Sequence, residues 1–303
     1  MKIFKLPTMY IILLVGSFAT PSYAKLNVLT TVTDLRAIVS EIGGDQVDVS
    51  SIAKGTQDPH YIEAKPSYMI KASKADLIIS IGLELEIGYL PSIIQGARNP
   101  KITQGSKGYL EVGPLIKALE IPTGKITRAE GDVHPLGNPH ILLDPIRTGE
   151  IAVKIAQRMG ELDPSNAKQF LEKGLALQAR LQKKTKDWSK RIKKANVKSV
   201  VSYHKTLTYF FDRFNIENSA ILEPKPGIPP TASHILEVIG IIKQKKIPLI
   251  MIENYFDAST ADRIKEEVPG IRIASVPVSV NGTSDINSLD DLYEKLVSVI
   301  EGR

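Results

Sequence analysis

The chain has 303 residues, with 39 Lys and Arg against 33 Asp and Glu, five His and no Cys. That length exceeds one usual hydrophobic core, so two domains are expected. The net charge of +6 is interspersed with acidic residues and forms no dense basic block interleaved with aromatics, which argues against a nucleic-acid partner. With no cysteine, disulfides and thiolate metal sites are excluded.

Residues 1–24 carry Lys2 and Lys5, an apolar stretch from Met9 to Phe18, and then Ser22-Tyr23-Ala24. This order reads as a secretory signal peptide cleaved after Ala24, and the apolar core is too short for a membrane anchor. A lipid-anchored exported protein needs a cysteine just after its signal, and none is present. The expected product is freely soluble in a periplasm.

The following half alternates strand and helix signals. An apolar run at 26–32 leads to a helix pattern over 34–42 that stops at Gly43-Gly44, and 47–52 alternates as a strand. Pro66 opens a helix reaching residue 74, 76–81 is a continuous apolar run, and helices near 85–96 and 145–160 follow. Apolar runs bounded by Gly or Pro and separated by helices suggest a buried parallel sheet. Between Thr123 and Asn138 the pattern gives way to a polar, Gly/Pro-punctuated stretch holding Glu130, Asp132 and His134, expected to be an exposed mobile loop.

Asp163-Pro164 is read as a helix start, the aspartate capping and the proline at the first helical position. From there to Ala195 only Gly174 interrupts, and Leu171, Leu175, Leu177, Leu181 and Trp188 mark an apolar stripe. Such a helix would run about 45 Å. It is a stiff strut, which favours modest rocking over large hinge closure. The basic residues within 183–194 lie on it and read as a solvated face.

Strands are expected at 199–203, 219–222, 247–252 and 271–276, and helices at 205–214, 232–245, 259–268 and 289–300. The fold class is therefore α/β, with two parallel-sheet lobes (25–162 and 196–303) joined by one long rigid helix over 163–195.

Three histidines occupy separate contexts: His60 in Asp58-Pro59-His60-Tyr61-Ile62-Glu63, His140 in Asn138-Pro139-His140, and His204 closing Val200-Val201-Ser202-Tyr203. Without cysteine, neutral imidazole is the ligand a borderline divalent metal would use. The three lie too far apart in sequence for a finger or a helix-borne pair, so only the fold can bring them together. In parallel sheets ligands bind beyond the carboxyl ends of the strands. His204 and Glu253 end two expected strands there, which suggests a metal site in the cleft between the lobes. Taken singly, a loop histidine is more often a surface hydrogen-bonder, and Glu253 could simply cap the helix after it. His234, inside an expected helix, reads as a structural or surface residue. His134, flanked by acidic residues, is a candidate transient or secondary contact.

The segments from Asp58 to Ser67, from Ser73 to Ile79, Gly82-Leu83-Glu84-Leu85-Glu86, and Asn138-Pro139-His140 to Asp144-Pro145 resemble the zinc/manganese substrate-binding proteins of bacterial ABC transporters, the cluster A-I metal-binding family. The resemblance spans nearly the whole chain after the signal. It implies two α/β lobes on one long helix, with a metal held between them by residues matching His60, His140 and His204. Histidine at the third position is associated with zinc rather than manganese. This chain departs from the pattern at the fourth ligand. The family's aspartate after the last strand has no counterpart in Val276-Pro277-Val278-Ser279-Val280-Asn281-Gly282, which leaves Asp285, Glu253 or water for that place.

The resulting expectation is a zinc receptor, acting as a monomer, that hands Zn²⁺ to a membrane permease and performs no chemistry. Asp144 or Glu63 would orient the rings. A manganese or iron receptor is the nearest alternative. A zinc hydrolase would need a general base and a motif such as His-Glu-x-x-His, which is missing. A surface adhesin is a third class, and the missing anchor cysteine argues against it.

Overall fold

The computed structural model describes Met1 and residues 25–124, 134–225 and 227–303. The expected signal peptide after Met1, and Glu130 and Asp132 of the expected loop, lie outside the described residues. Among the described residues no helix is long and apolar enough to cross a membrane.

The first lobe is built on β1 (Leu26–Thr30), β2 (Val47–Ser51), β3 (Leu77–Ser80) and β4 (Tyr109–Glu111), paired in the order β2-β1-β3-β4. All its pairings are parallel. Helices α1 (Thr33–Gly43), α2 (Pro66–Lys74), α3 (Leu90–Ala97) and α4 (Pro145–Leu162) surround the sheet. The second lobe repeats the plan with β5 (Ser199–Ser202), β6 (Glu217–Ile221), β7 (Leu249–Glu253) and β8 (Arg272–Val276) in the order β6-β5-β7-β8, again all parallel. Its helices are α6 (Thr208–Phe214), α7 (Ala232–Lys245), α8 (Ser259–Glu267) and α9 (Leu289–Glu301). Strands buried on both faces need continuous apolar runs, as β3 (Leu-Ile-Ile-Ser) and β7 (Leu-Ile-Met-Ile-Glu) show.

The long helix α5 spans Ala167–Ala195, shorter at its start than expected. Asp163 ends α4 rather than opening α5: it precedes Pro164, a position disfavoured in helical conformation, and its φ is −131°. Its carboxylate instead accepts from Asn166 Nδ2 at 2.6 Å in the turn between the two helices. The buried stripe of α5 is Phe170, Gly174, Leu177, Leu181, Thr185, Trp188 and Ile192. Leu171 and Leu175, expected inside, are exposed. Gly174 is the close-approach point: a Cβ there would lie 2.8 Å from the Ala156 Cβ of α4. The strut is therefore half-sunk in a core that runs continuously from the first sheet through α4 and α5 to α9 and the second sheet.

Two expectations shift for local reasons. The helix expected at 85–96 begins only at Leu90, because Leu83 and Glu84 take positive φ and Glu86 turns back to accept from the N–H groups of Ile81 and Gly82. The strand β4 was not expected at all; three residues carry too little pattern.

Polar bonds also join the lobes. Arg213 of α6 donates to both oxygens of buried Asp144, which caps α4, at 2.8 and 2.7 Å. Tyr209 donates to the Asn138 carbonyl at 2.7 Å, and Tyr293 to the Leu142 carbonyl at 2.7 Å.

Candidate metal centre

His60 lies on the connection from β2 to α2, His140 on the single 3₁₀ turn leading into α4, and His204 two residues beyond β5. All three stand beyond the carboxyl ends of their sheets, where backbone direction turns loops toward one cleft. One ligand atom from each lies within 4.8 Å of the others. The ring centroids form a near-equilateral triangle, 5.2 Å for His60–His140 and 5.7 Å for each pair with His204. The planes are steeply inclined, 63° to 89° apart, so the rings meet edge to face around a common point instead of stacking.

Each ring is prepared differently. His60 Nδ1 is 2.6 Å from Asp58 Oδ1, which also accepts the His60 backbone N–H at 3.0 Å. His204 Nδ1 is 2.6 Å from Glu223 Oε2. With Nδ1–H donated to a carboxylate, Nε2 is the free electron pair in both rings, the arrangement that orients metal-binding imidazoles. Burial alone would push His204 down. The hydrogen bond to Glu223 and the charges of Glu253, Glu223 and Asp58 outweigh it and hold His204 above its ordinary value. Burial, reinforced by His60, His204 and His134, drives His140 well below its ordinary value, so it is neutral. Its buried Nε2 makes no hydrogen bond. An orphaned acceptor facing two other imidazoles is costly unless something electrophilic occupies the centre.

Neither carboxylate named beforehand as orienting these rings does so. Glu63 is exposed and pairs with Lys65 at 3.6 Å, and Asp144 is committed to Arg147 and Arg213. Asp58 and Glu223 do that work. Asp58 stands two residues before His60 and Glu223 just past the end of β6, and the sequence reading singled out neither.

Glu253, the last residue of β7, is fully buried, but its oxygens are not among the three converging ligand atoms. Neither oxygen makes a hydrogen bond of normal geometry. Burial pushes its carboxyl up to about 7, opposed by His204 and by nearby Thr206 and backbone groups. Asp285 is not at the centre; it is exposed on the surface, 3.9 Å from Lys295. His234 is structural, with Nε2 2.9 Å from the Ile221 carbonyl. His134 reaches the cluster: its Nε2 is 3.1 Å from His60 Nε2. That separation is close to the roughly 3.3 Å edge of a tetrahedron with zinc–nitrogen bonds near 2.05 Å.

Residues 28–301 match the model of the ZnuA family, described as zinc-uptake complex component A, periplasmic. The manganese ABC transporter substrate-binding lipoprotein PsaA of Streptococcus mitis is 30% identical over 247 residues, covering 80% of this chain and 76% of that one. The metal ABC transporter substrate-binding lipoprotein SloC of Streptococcus mutans is 26% identical over 272 residues, 86% of this chain and 85% of that one. Among solved structures, ZnuA superposes with a TM-score of 0.76 at 22% identity, covering 92% of this chain and 98% of that one. The laminin-binding protein of Streptococcus agalactiae superposes at 0.73 and 21%, covering 91% and 98%. These relatives and neighbours fix the fold as two α/β lobes on a long helix. The chain belongs to the ZnuA family of periplasmic zinc-uptake components, a family of substrate-binding receptors rather than enzymes.

Proposed function

We propose that this protein is a periplasmic receptor that captures Zn²⁺ and delivers it to the membrane permease of an ABC transporter, working as a monomer. The observation that carries the reading is the nitrogen set: His60, His140 and His204 converge within 4.8 Å, and the buried Nε2 of His140 has no other partner. Hydrated Zn²⁺ would exchange water for three imidazoles, with the lobes (25–162 and 196–303) presenting His60 and His140 from one side and His204 from the other. Asp58 and Glu223 hold two rings and raise their basicity. The fourth position falls to water or to His134, and Glu253 supplies negative charge within reach of His204. Acid weakens binding because each ligating imidazole must be deprotonated.

Several relatives are named for manganese, which makes a manganese receptor the second reading. Mn²⁺ favours oxygen ligands, whereas the converging atoms here are nitrogens. Competitive titration of the metal-free protein decides between them. One Zn²⁺ bound per chain, displaced by Mn²⁺ only in large excess, is expected. Preference for Mn²⁺, or no binding of either ion, overturns the zinc reading.

A further inference from the structure

The connection between β8 and α9 leaves the second lobe and is gripped by the first turns of α1. Thr33 Oγ1 donates to the Val280 carbonyl at 2.6 Å, the Val280 N–H donates to Asp34 Oδ1 at 2.9 Å, and Arg36 donates to the Asn281 side-chain carbonyl. Thr33 and Asp34 are both buried, so water does not compete for their bonds. The gripped segment is stiffened by its own turn: Asn281 N–H donates to the Ile286 carbonyl, Gly282 N–H to the Ser279 carbonyl, and Asn281 has a left-handed φ of 61°.

Directly against this turn sits Gly55. A Cβ there would fall 2.3 Å from the Val280 oxygen, 2.5 Å from the Asn281 carbonyl carbon and 2.6 Å from the Gly282 nitrogen. The two lobes therefore touch backbone to backbone, with no room for a methyl group. Gly55 stands on the same connection as His60. Lys54 and Gln57, which bracket Gly55, bond each other twice, and Asp58 binds both the backbone and the ring of His60. A displacement at residue 55 is thus passed along a chain of short turns to the imidazole.

The opposite side of the turn is tied to the other ligand. Asn254 Nδ2 donates to the Gly282 carbonyl at 2.8 Å, and Asn254 follows Glu253 at the end of β7. β7 pairs with β5, and His204 lies two residues beyond β5. A cavity of about 40 Å³ is lined by Asp34, Pro59, His140, Val278 and Ser279 among others, so groups of both lobes and of the ligand loops border one space.

We infer that this junction, made by Thr33, Asp34, Arg36 and Gly55 against residues 280–282, positions His60 relative to His204 and so sets how long the metal is held. The inference deepens the receptor reading and rests on it. None of these residues is a ligand; they act through His60.

The test uses the full metal-free protein with Zn²⁺ and Co²⁺ as probes. Gly55→Ala forces the segments apart, and Thr33→Val removes one buried bond while keeping side-chain shape. Zn²⁺ release is followed by chelator chase, and ligand geometry by the visible bands of bound Co²⁺. Gly55→Ala should speed release about tenfold or more, a loss on the scale of removing an orienting partner of a ligand, and shift the Co²⁺ bands. Thr33→Val should do the same to a smaller extent. Arg180→Ala, which cuts the bond from α5 to Glu41 on α1, should lower the melting temperature and leave release and spectrum unchanged. If Gly55→Ala does not fold, Thr33→Val and Arg36→Ala decide. Folded variants with wild-type release and wild-type Co²⁺ bands overturn the inference. Wild-type protein that binds neither ion overturns the receptor reading itself.

Discussion

Replacing Glu223 by Gln isolates the contribution of a residue that touches no metal in the proposed mechanism. Glu223 is 7% exposed; one oxygen lies 2.6 Å from His204 Nδ1, and the other accepts from the Gly227 N–H at 2.9 Å. Glutamine is nearly isosteric and keeps one carbonyl acceptor, so the change removes charge more than shape. Losing the carboxylate behind a ligating imidazole costs about 10- to 100-fold in metal affinity, or about 1.4 to 2.7 kcal/mol. That loss should be greatest at alkaline pH, where protons compete least with the metal for His204. It should shrink in acid, for a definite reason. The hydrogen bond and charge of Glu223 help hold His204 above 6.5 against the pull of burial. In the wild type, protons therefore compete with metal as pH falls through that raised value; in the variant, burial dominates and the ring stays neutral to lower pH. Chelator-competition affinities at pH 5.5, 6.5, 7.5 and 8 would trace two curves that converge in acid. A loss equal at every pH, or no loss at pH 8, would refute the role given to Glu223.

Alanine at His60, His140 or His204 should each lower Zn²⁺ affinity by at least about 10-fold by calorimetry; three variants with wild-type affinity would remove the site assignment. Zn²⁺ at a thousandfold excess over its dissociation constant should add about 4 kcal/mol to stability, seen as a melting temperature that chelator reverses. The third expectation concerns Asp34, whose carboxyl burial raises from 3.8 to about 6 despite bonds from Val280 and Ser279. A raised acid is protonated in the fold while the unfolded chain has already released its proton. The stability it contributes is thus complete below about pH 4 and is lost as pH rises through 6. The stability difference between wild-type and Asp34→Asn metal-free protein, from urea unfolding, should therefore drift by about 2 kcal/mol against the wild type between pH 4 and pH 7. A pH-independent difference would contradict it.

The alternation of apolar runs and helices was enough to place seven of the eight strands among the described residues, most plainly β3 and β7, which are buried on both faces and cannot hide their composition. What failed was local and physical. Asp163-Pro164 satisfies the rule for a helix start and, equally, the rule that a residue before proline leaves the helix; the close packing of α4 on α5 decided for the second. Leu171 and Leu175 looked buried because leucine usually is, whereas Phe170 and Gly174 occupy the inward positions at the same helical spacing. In the site, the three histidines were legible because a cysteine-free chain has few other borderline-metal ligands. Their partners Asp58 and Glu223 were not, since a carboxylate acting through a hydrogen bond leaves no spacing rule in the sequence. Gly55 was invisible for a different reason. Nothing about it is unusual until the backbone of residues 280–282 is seen resting on it.

Why is zinc the proposed ion, when relatives at 30% identity are named for manganese? The carboxylates close to the cluster are already spoken for. Asp58 and Glu223 each sit 2.6 Å from an imidazole Nδ1, and turning either toward a metal would break the bond that orients its histidine. Glu253 is uncommitted, but its burial lifts it to about 7, so near neutral pH it carries only part of a charge, and its oxygens lie outside the converging set. A hard ion seeking oxygen would have to reorganise the pocket before it bound; a borderline ion finds three converging nitrogens in place. On the proposed reading the selectivity of this protein is therefore set by how its acidic residues are spent. Carboxylates that would suit manganese as ligands serve here to sharpen imidazoles. Removing one of these charges while keeping the ring held, as Glu223→Gln does for His204, should weaken zinc without improving manganese.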